Sequence, residues 1–139
     1  MSLISKIRTA VEAQGLAFYY DSGGNLEDLI ANADFENDKV VVFAFLLSNE
    51  TFEDGKESGN VGLFFSKLTE VDFDSLENDA IQDECKAVAY NFLKSLDAGN
   101  SLTYGTVSMQ RFYDVMSVNV TGVAIETVFS ETSGLTTCL

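Results

Sequence analysis

The residues of this chain able to do chemistry are almost all carboxylates. The densest run is Glu70, Asp72, Asp74, Glu77, Asp79, Asp83 and Glu84, and a hard cation wants several convergent oxygens of this kind. Most of that run surrounds the predicted start of a long helix, where carboxylates interact favourably with the positive end of the dipole, so the expected role is helix stabilisation and solvation. Asp34, Glu36 and Asp38 alternate like the opening of a calcium loop, but Lys39 stands where the sharp turn needs Gly and Phe45 where the bidentate Glu belongs. Gly23 and Gly24 precede a short apolar stretch without the Gly-Lys-Ser/Thr of a phosphate loop or the three spaced glycines of a dinucleotide loop. An ordinary turn is expected there. With no His and only two cysteines in the chain, His-based triads and zinc-finger sites are excluded.

Only two cysteines occur, Cys85 and Cys138. Cys85 has the spacing of a buried helical stripe, and Cys138 has no adjacent His, Lys or Arg to lower its pKa. Neither is expected to be a nucleophile, a metal ligand or part of a required disulfide. No catalytic residue, no cofactor and no metal are therefore expected, and the protein is not expected to be an enzyme.

Twenty-two acidic residues against eight basic ones give a net charge of −14. Such a surface repels phosphate backbones and anionic membranes, which argues against tight charge-driven binding of nucleic acid or lipid. Disorder also needs low hydrophobicity, whereas 46% of the residues are apolar, with eleven Phe and five Tyr. A length of 139 residues suits one domain. No stretch approaches the roughly 18 apolar residues of a membrane span, and the N-terminal segment has polar residues at helical spacing; a soluble cytosolic product is expected.

The elements that must position these groups follow from periodicity. Leu3, Ile4, Ile7 and Val11 predict an amphipathic helix from Ser2 to Gln14, stopped by Gly15. Leu16 to Tyr20 reads as a first strand, and Asn25 to Asn32 as a helix of two turns. Val40 to Leu47 is apolar at both phases and predicts a central strand covered on two faces. The polar stretch Ser48 to Asn60 then reads as the long tip of a hairpin whose second strand is Val61 to Phe65. Ile81, Cys85, Val88, Ala89, Phe92 and Leu96 form one stripe of a long helix, Ser75 to Asp97. The last forty residues fit two or three strands, with Gly122 a candidate bulge and Ser130 to Leu139 a loose tail. The expected architecture is a single α+β domain over 1–139: a largely antiparallel sheet of about five strands with two long helices packed on one face.

In this order of elements the chain resembles the tail-completion and tail-terminator proteins of tailed bacteriophages and their neck-ring relatives. The resemblance runs through the N-terminal helix, the hairpin with an extended polar tip (VVVFAFLLSNETFEDGKESGNVGLFFSKL), the long second helix and the closing strands ending DVMSVNVTGVAIETVFSE. It implies a structural subunit of a homo-oligomeric ring, a hexamer or, in a neck ring, a dodecamer. Its partners would be other neck and tail-tube proteins, with DNA passing through unbound and no membrane contact. The place would be the virion tail or neck, and the host cytoplasm during assembly. The hairpin tip, with Glu50, Phe52, Glu53, Asp54, Lys56 and Glu57, is the expected subunit or partner interface, Phe52 its apolar anchor. The alternative is an acidic binding module, a DNA-mimicking decoy or an adaptor for a protein partner.

Overall fold

The structure, a computed structural model, describes residues 3–20, 39–47, 50–53, 55–68, 75–98, 102–115 and 120–132. The expected helix at Asn25 to Asn32, the Asp34–Asp38 motif, Gly23, Gly24, Glu70, Asp72, Asp74, Asp54 and Cys138 lie outside the described residues. The elements are α1 (Leu3–Glu12), β1 (Ala17–Tyr20), β2 (Val41–Leu46), β3 (Thr51–Glu53), β4 (Lys56–Leu68), α2 (Ser75–Ala98), β5 (Leu102–Tyr104), β6 (Ser108–Val115) and β7 (Val120–Thr132).

Leu3, Ile7 and Val11, four residues apart, put one face of α1 wholly in the core. The helix ends where Gly15 adopts a φ of +78°, its amide donating to the Glu12 carbonyl at 2.9 Å, a conformation that favours glycine. α2 buries Cys85, Ala89, Phe92, Leu93 and Leu96 against the same side of the sheet, the Phe92 ring 6.0 Å from that of Phe65.

The spine of the fold is the antiparallel pair β4 and β7, each thirteen residues long and in register from Lys56↔Thr132 to Leu68↔Val120. On one side of β4 lie β2, opposite Val61–Ser66, and β3, opposite Lys56–Ser58; β1 adds to β2 in parallel. On the far side of β7 lie β5 and β6. Alternation then divides the side chains of β2 as expected. Val42 and Ala44 join the helix-covered core with Leu63, Phe65, Val123 and Ile125, while Val41 and Phe43 join Phe64 and Val120 in a second cluster on the other face.

This corrects the expected architecture. The described residues form one mixed, sheet-dominated layer of seven strands rather than about five, and the two helices among them are one long and one short, ten residues against twenty-four. The miscount has a physical origin. Two positions in the sheet are each filled by two successive segments, β2 then β3 beside β4, and β5 then β6 beside β7. At three residues each, β3 and β5 are too short for alternation to signal a strand: β3 is exposed throughout and held by the β4 backbone, and β5 adds one buried side chain, Leu102, to its pairing with β7.

Two further boundaries move. The last strand runs through Thr132, past the expected start of a loose tail at Ser130. The irregularity near Gly122 belongs to β6: Phe112 pairs with Gly122 and Val115 with Val120, so two residues of β6 face one of β7. Gly122 itself stays in register with Ser66. A Cβ built there would overlap the Phe65 carbonyl oxygen and approach the Ser66 Cα to 2.8 Å, so glycine is required by close approach of two backbones.

Candidate functional site

Within the expected hairpin tip, Thr51–Glu53 and the residues from Lys56 onward are strand. Glu53 pairs with Lys56, closing the hairpin across positions 54 and 55, where Gly55 has a φ of +75°. Asp-Gly is the sequence such a two-residue connection favours, because its twist matches that of the flanking strands. β3 and the start of β4 thus form a short ribbon at one end of the sheet. The structure brings the interface candidates together there: Glu50 just ahead of β3, Phe52 and Glu53 in it, Lys56 and Glu57 opening β4. Phe52 is 57% exposed, and Thr51 and Glu53 are exposed beside it.

Register continues this end of the sheet into rows that cross the molecule. One row is Phe52, Glu57, Glu131 and Leu102, and alternation with Phe129 and Ile125 places it on the helix-covered side. The next is Thr51, Ser58, Ser130 and Thr103, on the opposite side. In that row the Ser58 and Ser130 hydroxyls lie 2.8 Å apart, and the Thr103 hydroxyl donates to the Ser130 carbonyl at 3.4 Å.

Charge in the first row is organised from α1. Glu131, only 3% exposed, is paired with the Lys6 ammonium at 3.5 Å. Glu50 packs over Gly59 beside Leu3: a Cβ built on Gly59 would lie 3.4 Å from the Glu50 Cγ and 3.1 Å from the Leu3 Cδ2. A hydrogen bond with Glu50 is the main reason the Glu57 carboxyl titrates above its ordinary value; burial and the negative charge of Glu50 push the same way, opposed by a hydrogen bond with Glu131. Protonation of Glu57 is thereby linked to the geometry of the ribbon.

The acids expected to serve the long helix have other partners as well. Asp83 takes a 3.0 Å bond from Arg111 on β6, and Glu84 one of 3.0 Å from Lys67 on β4, so both tie α2 to the sheet. Among the described residues no group of three or more His, Cys, Asp or Glu side chains could hold a metal ion. Cys85 is buried, and burial, with the Glu84 charge in second place, pushes its thiol up to about 12. No helix among the described residues is long and apolar enough to cross a membrane. On the face away from the helices, Phe45, Gln110, Phe112, Ala124 and Glu126 line a groove of about 320 Å³.

Sequence reasoning missed Lys6, Glu131 and the hydroxyl row. Ser58 and Ser130 are 72 positions apart, and nothing local marks them as neighbours. The signal that existed was the Asp-Gly pair at 54 and 55, which announces a tight hairpin instead of a long tip. No family model matches the chain, and no curated protein matches it.

Proposed function

We propose that this chain is a structural subunit of a homo-oligomeric ring at the head-tail junction of a bacteriophage, capping the tail tube and joining it to the neck. The observation that carries the reading is the β3–β4 ribbon, a hydrogen-bonded strand pair that ends the sheet with Phe52 more than half exposed and with Glu53 and Lys56 beside it. A ring subunit needs an ordered, exposed surface that a neighbour can cover, and a large exposed aromatic flanked by charges suits an anchor whose register the charges set. The resemblance in the order of elements supports the same reading, and a net charge of −14 suits a ring through which DNA travels without sticking.

Native mass spectrometry and light scattering of the purified protein, with electron microscopy of particles carrying it, test the proposal. The expected result is a ring of six copies on the tail axis. A protein that stays monomeric or dimeric and captures a nuclease or repressor would favour the acidic decoy instead. Placement as a monomeric decoration remote from the portal and tail would end the ring reading.

A further inference from the structure

A ring built by one repeated contact needs two different surfaces on each subunit, one to give and one to receive. The described residues contain two such surfaces at opposite margins of the same sheet. One is the outer side of β3, whose three residues are all exposed. β1 covers only Val41–Ala44, at the other end of that lane, and no described strand lies beyond β3. The other margin is the outer side of β5, which pairs with β7 alone among the described residues.

Three properties of these margins match. The first is polarity: β3 runs opposite to β4, β4 to β7 and β7 to β5, so β3 and β5 run in opposite directions. Side-by-side repetition of the subunit, with the helices kept on one side, therefore brings β3 of one copy antiparallel to β5 of the next. The second is level. Thr51, Ser58, Ser130 and Thr103 form one row and Phe52, Glu57, Glu131 and Leu102 another, so both margins end on the same rows without a shift along the strands. The third is chemistry: the repeat sets Thr51 beside Thr103 and Phe52 beside Leu102, and Thr–Thr and aromatic–aliphatic neighbours are favourable cross-strand pairs.

We infer that copies of this chain join head to tail by strand addition, β3 of one subunit pairing antiparallel with β5 of its neighbour in the register Thr51↔Thr103 and Phe52↔Leu102. This rests on the ring reading above and assigns its contact. The hydroxyl row Thr51–Ser58–Ser130–Thr103 then continues from subunit to subunit, and the array closes when the rotation at each contact divides a full turn. Strands of three residues exchange few backbone hydrogen bonds, so a single contact is weak. Closure engages both margins of every subunit at once, which makes the ring far more stable than an isolated pair.

Cysteine pairing tests the register in the full-length chain. Thr51→Cys and Thr103→Cys are made in a Cys138→Ser background that keeps the buried Cys85, and oxidised at raised protein concentration. Both sites are exposed, and directly opposed strand residues have the Cα spacing that a disulfide tolerates. A mixture of the two single variants is expected to give a covalent dimer in yield about tenfold above either variant alone, and the double variant a covalent ladder that closes at the ring number. Rings seen by native mass spectrometry without that ladder would overturn the edge pairing while leaving the ring intact. Self-linking of Thr51→Cys into a dimer would show two-fold β3 pairing and overturn it too. Protein that stays monomeric and unlinked in every assay would remove the ring reading and this contact together.

Discussion

Replacing Gly122 with Ala tests whether close approach, not a bulge, accounts for glycine in the middle of β7. The added methyl has no free direction: it would overlap the Phe65 carbonyl oxygen and sit 2.8 Å from the Ser66 Cα, both in the backbone of β4. A rotamer change cannot relieve that contact, so the two longest strands must separate locally and disturb the β4–β7 ladder on both sides of the site. Forcing a methyl into a packed site costs about 1–3 kcal/mol, and a backbone obstacle places this one near the top of that range. For a domain of this size 1 kcal/mol lowers the melting midpoint by about 3–4 °C, so Gly122→Ala should lose about 10 °C. Gly105→Ala is the control. Its Cβ would meet nothing nearer than the Thr127 hydroxyl at 3.9 Å, and its φ is not in the left-handed region. That change should stay within about 1 kcal/mol of the parent, with either sign. Calorimetry or circular dichroism melts of the three proteins provide the assay. Equal midpoints for the two variants would refute the argument, because the two substitutions remove the same glycine entropy and differ only in the space they meet.

The Cys85 thiol, buried and raised to about 12, should not react with a disulfide reagent at pH 8 in the folded protein and should react fully once urea unfolds it. Phe92→Ala should cost about 3–5 kcal/mol, because the ring is wholly buried between α2 and Phe65; an urea midpoint close to the parent's would show that α2 does not pack on the sheet as described. Glu57 should make stability fall as pH rises. Its folded-state carboxyl holds its proton above the ordinary value, so its contribution is complete below the unfolded-state pKa and is lost as pH climbs through the folded one. In melts from pH 4 to 7.5, Glu57→Gln should flatten that part of the profile and leave the low-pH end unchanged; parallel profiles for both proteins would contradict the Glu50–Glu57 contact.

The apolar periods were legible in the chain because burial writes them locally. Leu3, Ile7 and Val11 announce α1, the stripe from Ile81 to Leu96 announces α2, and the unbroken run at Val40 to Leu47 announces a strand with two covered faces. Each pattern depends only on helix or strand geometry acting on adjacent residues. The segments that escaped are those whose stability comes from partners far along the chain. Lys56 to Asn60 carries no strand pattern, yet it is strand because β3 pairs with its start and β7 accompanies it throughout. β5 is three residues held against Phe129, Ser130 and Glu131. For the same reason the sequence could name Glu50, Phe52, Glu53, Lys56 and Glu57 as one exposed group but not place Lys6, Glu131, Ser130 or Thr103 beside them. Gly122 shows the limit most clearly. Its residue type marks a special position, but whether that is a bulge or a close approach is decided by the Phe65 carbonyl, 57 positions away in sequence and in contact only after β4 and β7 have paired.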